Sequence, residues 1–303
     1  MKNWILAIAM VVVLVGCNSE GNDTVHTNSN GTNVDHAEQN ENTNNNIDAN
    51  DNTDEVEEIH DGENEDSQEI NQPTQEEEVV VEVEPQYEMS SDWSFKPIGD
   101  ANEMVALLTI DDAPHKYALE MAKKLKGLNA PAIFFVNGHF LDTDEEKTIL
   151  KEIHEMGFEI GNHTYNHTNL GTIDDKAQQK EIEELSSLVE EIIGEKPRFF
   201  RAPNGTNTDF AKQFVKEEGM LLMNWTYGYD YFKPYMDAEK LKEAMITGKG
   251  PEVDVPYSLL KPGANLLMHD REWTNEALED IVIGLREQGY ELLNPKLIKT
   301  PTN

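Results

Sequence analysis

The chain has 303 residues, 59 of them Asp or Glu against 24 Lys or Arg, a net charge of −35, and a single cysteine. One cysteine excludes a disulfide framework, and the acidity argues against a protein that grips nucleic-acid phosphates. With 38% hydrophobic and 27% charged residues, the composition is lean for a chain folded throughout.

In chain order, Met1-Lys2-Asn3 puts one positive charge ahead of an unbroken apolar run, Trp4 to Val15. A lone spanning helix needs about 20 residues, so this run reads as the h-region of a signal peptide. It ends Leu14-Val15-Gly16-Cys17, which resembles the lipobox of bacterial lipoproteins. That resemblance implies cleavage after residue 16 and a lipid on Cys17, holding the chain at the extracytoplasmic face of a bacterial membrane; a secretory signal or uncleaved anchor with an incidental thiol is the alternative. Asn18 to Phe95 carries 23 acidic residues, no Lys or Arg, and no aromatic residue before Tyr87. Such a stretch buries too little apolar surface to offset chain entropy, so residues 17–95 are expected to form a disordered acidic tether. Val79 to Val83 breaks this pattern and is a candidate edge strand. Residues 96–303 are left to fold as one domain.

From Met104 onward, short apolar runs alternate with amphipathic stretches. Strands are predicted at Met104 to Ile110, Ala132 to Val136, Phe158 to Gly161, Arg198 to Arg201, Met220 to Thr226, Ala264 to Met268 and Tyr290 to Leu293. Helices are predicted at His115 to Leu128, Asp144 to Met156, Asp174 to Ile193, Thr208 to Glu218, Asp237 to Thr247 and Thr274 to Gln288. Asp144 and Asp174 are N-cap candidates, and Gly127, Gly157, Gly194, Gly219 and Gly289 stand near the expected ends. Repeated strand–helix units imply parallel strands with crossover helices, either an open doubly wound sheet or a closed barrel. Asp111, Asp112, His163, His167, Arg201, Trp225 and His269 all fall at C-terminal strand ends. A barrel assembles its site from that edge, so an α/β fold with a distorted (β/α) barrel of about seven parallel strands is expected.

His163 and His167 lie four apart and, on a helical turn, would share a face and suit one divalent metal, although solvated surface histidines give the same spacing. Adjacent Asp111 and Asp112 repel, and at a buried strand end they call for a cation or an arginine. A solvated turn is the simpler alternative. His115, His139 and His154 read as helix or loop surface residues, with lining of the cleft the alternative for His139.

Thr109-Ile-Asp111-Asp112-Ala-Pro114, His163-Thr-Tyr-Asn-His167, Arg201-Ala-Pro203-Asn204-Gly205, Trp225 through Asp230-Tyr231, and Leu267-Met-His269 are similar in order and spacing to the five motifs of the polysaccharide deacetylase family, also called the NodB-homology or carbohydrate esterase family 4 domain. The resemblance covers roughly Met104 to Pro295 and implies a distorted barrel. It further implies that Asp112, His163 and His167 hold a divalent metal, commonly zinc. Asp111 would be the general base, paired with Arg201, and His269 the general acid, held by Asp230. A backbone N–H at Asn204 would stabilise the oxyanion, and Leu267 and Trp225 would line the acetyl pocket. The family usually has Phe, Gly, Tyr and Trp where Ile110, Ala113, Asn204 and Tyr231 stand here. The expected activity is removal of N-acetyl groups from peptidoglycan or a polymer of N-acetylglucosamine. O-acetyl ester hydrolysis on a xylan-like glycan and noncatalytic binding of glycan or metal are the alternatives.

Overall fold

The computed structural model describes residues 84–302. The signal-peptide segment, Cys17 and Val79 to Val83 lie outside the described residues. All seven predicted strands and six predicted helices are present. The strands are β3 (Val105–Ala113), β4 (Ala132–Val136), β5 (Glu159–Asn162), β6 (Phe199–Phe200), β7 (Leu221–Leu222), β8 (Ala264–His269) and β9 (Glu291–Leu292). The helices are α1 (Ala118–Gly127), α2 (Asp144–Glu155), α3 (Asp175–Ile193), α4 (Asp209–Glu217), α5 (Ala238–Thr247) and α6 (Glu272–Glu287). Asp174 caps α3 as expected, its side chain accepting from Ala177 N–H. At α2 the cap is Thr143 rather than Asp144, because Thr143 and Glu146 form a reciprocal capping box.

The strands order as β7-β6-β5-β4-β3-β8, every pairing parallel, with β9 alongside the start of β3. Met220 to Thr226 is not one long strand: β7 keeps only two residues, and the chain then leaves the β6 edge. It reaches β8 instead, where Thr226 N–H donates to Asn265 O (2.8 Å) and Leu267 N–H donates to Tyr227 O (2.9 Å). This irregular segment joins the two edges of the curled sheet and gives the distorted barrel.

Strand alternation sorts side chains between two cores. Ala106, Leu108 and Ile110 of β3, Phe134 of β4 and Leu266 and Met268 of β8 face the main core, with residues of α1, α2, α5 and α6. Val105 and Leu107 of β3, with Ile133 and Phe135 of β4, face the barrel interior. One step further up the same face of β3 come Thr109 and then Asp111, so the interior changes from apolar to polar towards the C-terminal strand ends.

The expected tether boundary at residue 95 is corrected by an antiparallel pair, β1 (Tyr87–Met89) with β2 (Phe95–Pro97). Tyr87 and Phe95 are buried with Val105, Leu107, Leu293 and Ile298, so these two rings close the apolar end of the barrel. Phe95 N–H donates to Gly263 O (2.8 Å), and a Cβ on Gly263 would collide with Phe95 O, an approach that requires glycine. The acidic average over residues 17–95 hides these two aromatic anchors.

Candidate active site

The site begins where β3 stops alternating. Asp112 has φ 62°, and the pairing with β4 shifts between Ile110 and Ala113. A bulge of this kind re-aims one side chain, so consecutive residues Asp111 and Asp112 both line the same cavity. In-register pairing of Asp111 with His269 sets those two groups side by side on β3 and β8.

Asp111 is buried against Arg201, which is wholly buried itself. Arg201 Nη1 donates to Asp111 Oδ1 (2.6 Å) and to Thr109 Oγ1 (2.8 Å), and Nη2 donates to Asn224 O (2.9 Å). Its guanidinium carbon lies 4.3 Å from the centroid of the Phe135 ring. Burial lowers the Arg201 pKa, against the pull of Asp111, but an arginine has ample range to stay charged.

His163 and His167 do not share a helical turn. The loop after β5 has φ 67° at Thr164 and 55° at His167, and its polar groups bond elsewhere. Asn137 Nδ2 donates to the carbonyls of His163 (2.7 Å) and Thr164 (3.0 Å). Thr164 N–H donates to Asn162 Oδ1 (2.9 Å), and Glu181 takes the amides of Tyr165 and Asn166 through its carbonyl and carboxylate. These groups supply the donors and acceptors that a helix would have drawn from its own backbone. The imidazoles still meet, with ring centroids 5.0 Å apart. The candidate His139 is tied to Tyr165 O and packs on Phe140, outside the cavity lining.

His163 Nδ1 lies 2.7 Å from Arg201 O. A carbonyl only accepts, so Nδ1 carries the proton and Nε2 offers a lone pair. Burial lowers the His163 pKa despite Asp111 and Asp112, which keeps that lone pair available. Asp112 Oδ1 stands 3.5 Å from His167 Nε2 and 3.9 Å from His163 Nε2, and one ligand atom from each of the three residues falls within 4.8 Å of the others. Ligand atoms on a tetrahedral zinc lie about 3.4 Å apart, so two imidazole nitrogens and a carboxylate oxygen fit a divalent ion. Burial would raise the Asp112 pKa, but His269, His163, His167 and Arg271 outweigh it and hold the carboxyl below its ordinary value.

Across the cavity, His269 Nδ1 donates to Asp230 Oδ1 (2.8 Å), while Asp230 Oδ2 accepts from His269 N–H (2.6 Å) and Thr274 Oγ1 (2.8 Å). Trp273 Nε1 also donates to Asp230 O (2.9 Å). Burial opposes the imidazolium, but Asp230 prevails and the His269 pKa rises to about 9. Asn204 sits at φ 56°, a left-handed conformation that asparagine tolerates better than most residues. In its 3₁₀ turn Gly205 N–H bonds Ala202 O and Thr206 N–H bonds Pro203 O, which leaves the Asn204 N–H outside the turn's own bonds.

The resulting cavity has a volume of 410 Å³ and takes in every predicted site residue among those described except Arg201, which sits behind Asp111. Leu267 and Trp225 form part of its apolar wall. The sequence reading missed Arg271, Trp273 and Met236 in the lining and Thr109 beneath it. Arg271 stands two residues after His269, but nothing in that spacing shows that its guanidinium turns back to Asp112 (2.7 Å).

One end of the curled parallel barrel thus gathers two histidines, paired aspartates, a buried arginine and an Asp–His couple. The family profile described as polysaccharide deacetylase matches residues 98–223. A peptidoglycan-N-acetylglucosamine deacetylase of Bacillus cereus is 30% identical over 194 residues, 62% of this chain and 67% of that protein. The peptidoglycan-N-acetylmuramic acid deacetylase PdaA of Bacillus subtilis is 27% identical over 196 residues, 64% of this chain and 70% of that protein. Among solved structures, a CE4 family pseudoenzyme from Bacillus anthracis superposes with a TM-score of 0.56 at 25% identity, covering 65% of this chain and 67% of that one. The chain belongs to the polysaccharide deacetylase family. Its matches span 63% to 71% of the length of four curated relatives.

Proposed function

We propose that this protein is a metal-dependent hydrolase that removes N-acetyl groups from peptidoglycan or another N-acetylglucosamine polymer. The observation that carries the reading is the coexistence in one cavity of a metal-ligand triad, an arginine-paired carboxylate and an aspartate-paired histidine. A noncatalytic binder needs no such proton carriers.

Asp112, His163 and His167 would hold a divalent cation, zinc in this reading, which when bound would supply Lewis acidity and would lower the pKa of water from about 15.7 towards 7. Asp111 takes the proton of the attacking water, and the bond from Arg201 holds that carboxylate in place. The Asn204 N–H donates to the acetyl oxygen as negative charge gathers there. His269 gives a proton to the departing nitrogen, the C–N bond breaks, and acetate and a free amine result. Leu267 and Trp225 face the acetyl methyl.

The rate is expected to fall as pH rises through the His269 pKa of about 9, because the donor then lacks its proton. Asp230→Asn removes the charge that raises this pKa, so the alkaline limb of a pH–rate profile is expected to move to lower pH. A limb unchanged in Asp230→Asn would assign the alkaline pKa to another group.

Lipidation at Cys17 would hold this site outside the membrane, where wall polymer is the nearest acetylated substrate. Among the described residues no helix is long and apolar enough to cross a membrane. A panel of peptidoglycan, chitin and acetylated xylan fragments scored for released acetate tests the substrate class. Release from the first two supports the amide reading, release from xylan alone supports an esterase, and zinc binding without release from any supports a noncatalytic protein.

A further inference from the structure

The turn between β8 and α6 grips the Asp111–Asp112 segment at several points. Asp270 N–H donates to Asp111 O (3.0 Å). The buried Asp270 carboxylate accepts from the amides of His115 (2.6 Å), Tyr117 (2.7 Å) and Ala118 (3.1 Å), which fixes the chain as it leaves Asp112 and enters α1. Arg271 completes the grip, with Nη2 donating to Asp112 Oδ2 (2.7 Å) and Nη1 donating to Asp270 O (3.0 Å). Asp112 is thereby divided: Oδ2 is taken by Arg271, and Oδ1 faces His163 and His167. Its φ of 62° lies in the left-handed region, uncommon outside glycine although aspartate is among the residues that adopt it.

We propose that Arg271 is a positioning residue for metal binding, holding Asp112 Oδ2 so that Oδ1 is presented to the histidine pair, while Asp270 fixes the loop that carries Asp112. The inference rests on the metal-site reading above and adds a partner outside the ligand set. A hydrogen-bonded partner on a ligating carboxylate restricts its rotation before the ion arrives, and loss of such partners typically weakens metal binding 10–100-fold. The competing account is an ordinary ion pair at the rim, since the Arg271 side chain is 37% exposed. Such a pair contributes little and would leave the metal centre unmoved.

The test uses the full chain, with zinc affinity from calorimetric titration and the visible spectrum of the cobalt-loaded protein, for wild type, Arg271→Met and Arg271→Lys. Arg271→Met is expected to bind zinc about 10–100-fold more weakly and to alter the cobalt spectrum, with Arg271→Lys recovering part, since it restores charge without the planar fork. Zinc affinity of Arg271→Met within about twofold of wild type, with an unchanged cobalt spectrum, overturns the proposal and leaves the metal site standing. Absence of zinc uptake by wild type overturns the metal reading and this inference together. Melting curves of the metal-free proteins check folding, and if Arg271→Met does not fold, Arg271→Gln carries the same expectation and the same refutation.

Discussion

Asp111→Asn is expected to lower acetate release by about 10²–10⁴-fold, the usual contribution of a general base, while zinc binding persists. The ligand set Asp112, His163 and His167 does not include Asp111, so the metal should stay. Asparagine Oδ1 can still accept from Arg201 Nη1, which keeps the side chain in place but unable to take a proton. The variant therefore separates proton transfer from architecture. Equal acetate release by Asp111→Asn and wild type would remove Asp111 from the mechanism, and simultaneous loss of zinc would reassign it as a ligand.

Arg201→Met is expected to produce the largest loss of stability, about 3–5 kcal/mol, because it leaves Asp111 as a buried charge with its principal partner gone. The bonds to Thr109 Oγ1 and Asn224 O go as well, so several elements lose a common tie. Arg201→Lys should recover only part of the loss, since one ammonium cannot span the same acceptors. Urea denaturation of the three proteins reads the order directly. A loss under about 1 kcal/mol for Arg201→Met would mean that Asp111 reaches water once its partner is gone.

The barrel was legible because its signals are local. Apolar runs such as Leu107 to Ile110 and Ile133 to Val136, with glycines near the helix ends, mark where strands and helices alternate. β1 and β2 were not legible, since Tyr87 and Phe95 sit in an acidic segment and their burial depends on Leu293 and Ile298, some 200 residues further on. The motif residues identified the site's membership, but the two devices that shape it are conformational. Asp112 adopts positive φ without being glycine, and the histidine loop is set by Asn137 and Glu181, 26 and 15 residues from their partners. Spacing alone suggested a helical turn because four residues is the helical repeat, and nothing local announced that distant side chains would take the loop's hydrogen bonds. Arg271 was missed for a similar reason: its role follows from the direction of one side chain at the start of α6.

The most direct measurement is acetate released from a peptidoglycan digest by the purified protein, first as prepared, then after chelation and dialysis, then after zinc is added back. The account predicts release that disappears on chelation and returns with zinc at about one equivalent, accompanied by new free amines on the glycan. Release unaffected by removal of the metal, or one equivalent of zinc bound with no acetate in any state, would contradict it.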